Sequence, residues 1–567
     1  MLEEIEKTIL ELISNGLEDS ADKLCSLLVN SEIFLGNEMK LNELQGDCSY
    51  SKLEYSRALQ YYKQALNGGQ MKKIYHIDTP YIANLHYKVS QCLLKLNDKT
   101  AAIRELEVIP KELRTTKINI SLGKLYYGAE LKLSANGALK QVLKSCPLAI
   151  ECMEMLINLG TETTEFIPKT KLESQSQSND LISVFSEWIN PIIESYSLQH
   201  HSKHSEAKEK LQISLQLFPK SSYLHTQAAL CAYDAENIEE SIQHFRHVRL
   251  HDSKQIYGMD KYGLLLYSQC LNLPISSTEN SFITLPRKGT SGNIYGVDMT
   301  GYREDLCKLA TDLLFDYPKH PIAWSCAALY TDIKGDKDKA MLFIDKACTK
   351  LEPRMSMSFN IKGILHLVRE SPEQAAISFS QANSLEKNVD SYTGIAESNF
   401  QMGKSSDVLE NVKSALKFRP NSSRCFTLVA RALAKSGNQN SKKDAIKGFK
   451  KAIRLNPSNI SPVLELSDLL CAEGQYEEAA IILQTALETN PAYLLRCYYG
   501  KVLGKLREYE KAIKELHFAM SSCPGLDISL AAHEVDQIEA LLRGQDLSFS
   551  NEYNDTSLKS YESPTSG

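Results

Sequence analysis

Three stretches close alike: Ala452-Ile-Arg-Leu-Asn-Pro457, Ala486-Leu-Glu-Thr-Asn-Pro491 and Ala519-Met-Ser-Ser-Cys-Pro524. Pro457 and Pro491 stand 34 residues apart, Pro491 and Pro524 33, and Pro420 and Pro457 37. A period of this size marks one supersecondary unit that recurs along the chain. Apolar residues at helical spacing, broken once by a turn, predict two antiparallel helices per unit, A and B. Where these cross, position 8 of helix A and position 20 of helix B have to be small so that the backbones can approach.

Position 8 is Gly46, Ser90, Gly123, Ser195, Ala229, Gly263, Ala328, Gly363, Ala396, Ala430, Ser467 and Gly500, with Ile9 the exception in the first unit. Position 20 is Ala21, Ala58, Ala102, Ala135, Ala207, Ser241, Ala340, Ala375, Ala445, Ala479 and Ala512, with the larger Leu306 and Val408 in two units. Position 24, one turn further along helix B, carries a large apolar residue, as at Tyr62, Leu106, Phe245, Phe379, Phe449, Leu483 and Leu516. A 3.6-residue period alone fits any helical protein. Small residues phased to one longer period over nearly the whole chain are far more specific. They predict an all-α fold, a tetratricopeptide-repeat (TPR) right-handed superhelical solenoid.

The 567 residues first suggest three or four ordinary domains. The repeat replaces that expectation. Residues 1–147 read as an N-terminal arm of four units and 188–524 as a C-terminal superhelix. Between them, 148–187 reads as a degenerate unit: a helix Leu148 to Leu159, then a loop through Thr161 and the Ser/Gln run Ser174 to Asn179. The unit at 256–318 carries an insertion, about 271–300, rich in Ser, Thr, Gly and Pro, expected to be disordered. Residues 525–543 are expected to cap the open end of the stack, and the polar tail from Gly544 to be disordered.

Composition removes several function classes. Lys+Arg 64 against Asp+Glu 70 gives a net charge of −6, without the basic excess of a nucleic-acid binder. The first residues, Met1 to Lys7, lack the pattern of a signal peptide, and no apolar run is long enough to span a bilayer. The 14 cysteines are scattered with no C-x-x-C, as in a reducing compartment. The expectations are no membrane, no nucleic acid, and residence in nucleus and cytoplasm. No nucleotide-binding, hydrolase or metalloprotease motif is present, and no segment outside the repeats is long enough for a catalytic domain. No cofactor and no enzymatic activity are expected.

Two histidine groups, His200/His201/His204 and His244/His247/His251, are candidates for metal ligation. The pair His244/His247 has ligand-like spacing, but a metal site needs further converging donors, and solvated surface is the favoured reading. The two groups are expected at opposite ends of their helix pairs. Lys442, Lys443, Lys447, Lys450, Lys451 and Arg454 read as the solvated face of one helix B rather than as a phosphate-binding patch. The concave groove of such a stack is lined by helix A positions 2, 5, 9 and 12. In the last three units these include Arg424, Arg431, Asp468 and Lys501. Arg424, Arg431 and Lys501 either hold a carboxylate or acidic peptide through charge-assisted hydrogen bonds or are ordinary surface charges. The Lys/Asn pair at positions 5 and 9 by which one family of TPR co-chaperones grips a terminal carboxylate occurs in no unit. Position 5 is, for example, Tyr87, Ile120, Thr226, Ser325 or Thr393.

Three stretches go beyond the generic repeat: Ile109-Pro110 through Arg114 to Tyr126, Val142-Leu-Lys-Ser-Cys-Pro-Leu-Ala149, and Gly258-Met-Asp-Lys-Tyr-Gly-Leu-Leu-Leu266. Together they resemble the family of seventh subunits of the anaphase-promoting complex (cyclosome), in the same unit order up to about residue 524. The 271–300 insertion and the short, mildly acidic tail depart from the family pattern. The resemblance implies a scaffold subunit of a multi-subunit ubiquitin ligase that drives mitotic exit. It also implies homodimerisation through residues 1–150, docking of other TPR subunits of the complex on the C-terminal superhelix, and support of the coactivator. Ser563-Pro564 has the form a proline-directed kinase uses. The other reading is a free TPR adaptor or co-chaperone that takes short peptides in its groove.

Overall fold

The computed structural model describes residues 2–29, 38–71, 80–163, 179–201, 203–271, 299–351, 354–435, 439–457, 459–522 and 531–540. Among these, regular structure is helical, and consecutive helices pack antiparallel as A–B pairs. This is the TPR solenoid expected from the repeat. Most of the insertion, the loop at 164–178, and the tail from 541 lie outside the described residues.

The small residues act as sockets. A Cβ placed on Gly46 would lie 2.4 Å from the ring of Tyr62, and one on Gly363 2.7 Å from Phe379. Gly123 faces Leu139 at 2.6 Å and Gly500 faces Leu516 at the same distance. In all four units, position 8 receives the large side chain from position 24 of its own helix B. Gly263 instead receives Cys326 of the following unit, at 2.9 Å. Ala58, Ala135, Ala375, Ala445, Ala479 and Ala512 at position 20 are completely buried. The larger Leu306 and Val408 are equally buried.

The A–B turns repeat one backbone solution. Helix A ends at a residue with positive φ, and the next amide reaches back five residues to a helix carbonyl. Asp336 N donates to Thr331 O at 3.1 Å, Lys404 N to Asn399 O at 2.9 Å and Gln475 N to Leu470 O at 2.9 Å. Gly335, Gly403 and Gly474 hold the positive φ, which glycine adopts without strain. In the turn after Ser222–Asp234 the same place is taken by Glu236, at φ 62°.

The chain forms two compact units, Met1–His200 and His201–Gly567. The division falls inside the repeat read as 188–219. Its helix A, Asn179–His200, belongs to the first unit and its helix B, His204–Leu217, to the second. Within the second unit, residues 531–540 form a helix whose Ala531, Val535 and Ile538 are buried among the last repeats. Ile538 lies against Gly504. Of the stretch 525–543 read as a cap, residues 525–530 and 541–543 lie outside the described residues.

Candidate functional site: the groove of the C-terminal unit

Helices Ser423–Lys435, Ser461–Ala472 and Tyr493–Lys505 supply the groove positions singled out in the sequence. Arg431 is committed to neighbouring repeats. Its Nε donates to Glu465 Oε2 at 2.6 Å, Nη2 to Ser461 Oγ at 3.0 Å, and Nη1 to Glu397 Oε1 at 3.3 Å. The side chains of Arg431 and Glu397 are only 9% and 2% exposed, so this triad is desolvated and held by mutual charge. The two carboxylates hold the guanidinium firmly protonated. Arg424 lies 3.8 Å from Asp390. Burial pushes the Asp468 carboxyl up to about 6 despite the charge of nearby Lys501. Lys501 lies 3.8 Å from Glu534 of the capping helix. Each of the four candidate residues therefore faces an opposite charge of the chain itself. A carboxylate entering this groove has to exchange places with Glu397, Glu465, Asp390 or Glu534.

The histidines are arranged by a residue that spacing did not single out. His225 Nε2 lies 3.0 Å from Pro219 O, which only accepts, so that nitrogen carries the proton. His225 Nδ1 is then the acceptor for His244 Nδ1, 3.1 Å away. His247 stacks on the His225 ring at 5.0 Å, tilted by 11°. Burial and the neighbouring imidazole push His244 down to about 4, and burial lowers His225 as well. His225 and His244 form a hydrogen-bonded pair on which His247 stacks. No group of His, Cys, Asp or Glu among the described residues has metal-site geometry. His204 and His244, expected at opposite ends of their helix pairs, line one and the same cavity.

The basic helix Gln439–Leu455 is a paired surface. Lys450 bonds Glu478 at 2.6 Å, Lys447 bonds Asp444 at 2.9 Å, Lys442 bonds Glu473, and Lys451 lies 3.9 Å over the Phe426 ring.

The cavity is of about 830 Å³ and lies between the turn at Asp234–Asn237 and the helix ends near Arg419–Arg424 and Asn456. Its wall is a seam between residues far apart in sequence. Arg419 bonds Asp234. Glu236 Oε1 accepts from Ser422 Oγ at 2.8 Å and from Arg424 N at 3.2 Å, and so caps the helix Ser423–Lys435. Asn456 Nδ2 donates to Glu236 O at 3.2 Å, and Tyr233 Oη to Asp390 at 3.4 Å. Nothing in the repeat pattern foretells these pairs. The one hint is a glutamate where other turns carry glycine, and Leu53, Asn97, Glu130, Glu370 and Arg507 share that trait without such contacts being evident from sequence.

The tetratricopeptide-repeat family profile matches residues 443–496. The solved structure of the Cut9–Hcn1 hetero-tetramer contains a chain that superposes with a TM-score of 0.55. That chain is 13% identical, and the match covers 94% of this chain and 95% of the other. The fold is the TPR solenoid. Anaphase-promoting complex subunit 7 of Arabidopsis thaliana is 25% identical over 569 aligned residues, covering 95% of this chain and 94% of the plant protein. The protein of the same name from Dictyostelium discoideum is 24% identical, covering 89% and 84%, and that from Homo sapiens 23%, covering 92% and 89%. From end to end, the chain resembles subunit 7 of the anaphase-promoting complex. The likeness runs through both compact units, as the three quoted stretches imply.

Proposed function

We propose that the chain is a non-catalytic TPR scaffold subunit of the anaphase-promoting complex, a multi-subunit ubiquitin ligase acting in mitotic progression and exit. The observation that carries this reading is a likeness to subunit 7 proteins that spans about nine-tenths of the chain in each comparison. The physical form is suited to the role. A solenoid offers much surface per residue, and its repeats hold together through contacts between neighbours alone. Other subunits of the complex are its partners. It works in nucleus and cytoplasm, without nucleic acid or membrane.

Two finer points belong to the proposal. The chain pairs with a second copy through its N-terminal repeats, and it docks other TPR subunits of the complex through its C-terminal superhelix. In favour of the first, helices Leu2–Ser14 and Glu18–Leu28 expose Leu10, Leu24 and Leu27, the last at 76%. A symmetric pair buries the same apolar surface on both copies. In favour of the second, the groove brings Arg424, Arg431, Asp468 and Lys501 to repeats where an extended segment can exchange ion pairs.

Affinity purification of the tagged chain from dividing cells tests the reading. Recovery of ubiquitin-ligase subunits is expected. Recovery of chaperones alone would instead support a free adaptor. Light scattering of the pure chain at micromolar concentration is expected to give twice 63.6 kDa. A strictly monomeric species would sink the pairing.

A further inference from the structure

Two thiols meet where the first repeat packs on the second. Cys25 of the helix Glu18–Leu28 and Cys48 of the helix Glu38–Ser51 bring their Sγ atoms to 4.0 Å. Both side chains are completely buried, in one small core with Ile9, Ala21, Leu41 and Leu44. At that separation the sulfurs are in contact, with no room for an atom between them. A disulfide holds its sulfurs about 2.05 Å apart, so roughly 2 Å of approach is needed, which rotation of the two side chains and a slight shift of the helices can supply. The two residues stand 23 positions apart on different repeats, so a bond between them ties one repeat to the next.

The first repeat is the place where such a tie has an effect. It ends the stack and has a neighbouring repeat on one side only, and terminal segments open most readily. It also departs from the socket pattern, with Ile9 where other units carry Gly, Ala or Ser. In its helix Glu18–Leu28 only Ala21 and Cys25 are buried. Ion pairs add to the hold on the second repeat: Lys52 lies 2.7 Å from Asp19 and 2.8 Å from Asp22, and Arg57 lies 3.4 Å from Asp22. Asp19 and Arg57 are exposed, and pairs of this kind hold weakly and are screened by salt. When the first repeat opens, both thiols meet water and small oxidants. When it closes, they meet each other.

We propose that Cys25 and Cys48 are an oxidisable pair, which hydrogen peroxide converts into a disulfide that staples the first repeat onto the second. One thiol, as its thiolate, attacks the O–O bond; its sulfur takes up one oxygen as a sulfenic acid, and the other oxygen leaves as water with the proton of that thiol. The second thiol attacks the same sulfur, the S–S bond forms, the S–O bond breaks, and the hydroxyl leaves as water with the second proton. Two thiols are oxidised and one peroxide is reduced to two waters. A thiol reductant reverses the bond, as suits a transient disulfide in the reducing compartment expected from the cysteine pattern. The staple rests on the geometry of the first two repeats and not on the proposed membership of the ligase.

The full-length chain, treated with increasing hydrogen peroxide, tests it. The protein is then unfolded, alkylated with N-ethylmaleimide and digested with trypsin. Cleavage after Lys23, Lys40 and Lys52 places Cys25 in residues 24–40 and Cys48 in residues 41–52. These two peptides are expected to appear joined, two hydrogens lighter than their sum, and to separate on treatment with dithiothreitol. The joined pair is expected at lower peroxide than any oxidation of Cys326 and Cys348, which are buried in the repeat cores. Amide exchange in residues 2–28 is expected to slow about tenfold in the oxidised chain, because the bond removes open states, while residues 337–349 keep their rate. In Cys25→Ser, peroxide is expected to leave exchange in residues 2–28 unchanged. Free thiols at Cys25 and Cys48 after the exposed Cys146 has been oxidised would overturn the proposal. So would separate sulfinic acids at the two positions, or joined peptides without any slowing of exchange in residues 2–28.

Discussion

At the residue scale, the glycines at position 8 are sockets, and their cost of replacement is set by what fills them. In Gly363→Val the new side chain collides with Phe379, whose ring already lies 2.7 Å from where a Cβ would be. Phe379 is 2% exposed and has no room to retreat. The expected loss is about 1–3 kcal/mol, read as a lower urea midpoint for the repeat 356–387. An unchanged midpoint would mean the socket is not filled as described. The smallness of these positions was legible in the sequence because it recurs in phase. Its cause was not, since sequence suggested close approach of backbones and the occupant is a side chain from one turn further along helix B.

The histidine stack gives a second prediction at this scale. His244 titrates near 4 in the folded chain against 6.5 when unfolded. Between those values the unfolded chain binds more protons, so stability rises with pH. The contribution is complete above about pH 6.5 and is lost as pH falls toward 4. Going from pH 7.5 to pH 5 is expected to lower Tm by roughly 3 °C through this group. In His244→Phe, which keeps a ring beside His225, the drop is expected to shrink by that amount. A variant with the wild-type pH profile would refute the assignment. His225 could not be found from spacing, because it sits on the preceding helix A, and it is the packing of A against B that brings the rings together.

At the element scale, the capping helix 531–540 holds the last repeats against solvent. Its Ala531, Val535 and Ile538 cover apolar side chains that include Val502 and Leu503. Ending the chain at residue 530 uncovers that surface, at an expected cost of about 3–5 kcal/mol. The measurement is amide exchange in Tyr493–Lys505, which should accelerate strongly while Lys337–Thr349 keeps its wild-type rate. Equal exchange in both would show that the helix caps nothing. The presence of helix pairs was readable from periodicity alone, since it follows from local apolar spacing. The division at His200–His201 was not, because a repeat register says nothing about where contacts thin out. The seam was also hidden, since it joins residues 157 to 220 positions apart.

At the scale of the whole molecule, the first expectation of three or four domains gives way to one unit repeated. Nearly every described residue then serves stacking or a surface between repeats. The ion pairs that fill the groove bear on how partners are held. Arg431 is locked between Glu397 and Glu465, so a partner that relied on this arginine would have to displace a desolvated triad. Replacing Arg431 by Leu takes the guanidinium's charge from two carboxylates, and the expected cost is about 3–5 kcal/mol of stability before any partner is considered. A loss of partner binding in that variant therefore has to be read beside its thermal unfolding. Arg424 and Lys501, less deeply held, are the places where a groove contact can be removed without unfolding the repeats.

The central claim is that this chain is a scaffold within the ligase, and purification of the ligase through a different subunit tests it most directly. Quantitative mass spectrometry of that assembly from dividing cells should find this chain in amounts stoichiometric with the other TPR subunits. Its absence, or recovery at a small fraction of their level, would contradict the account.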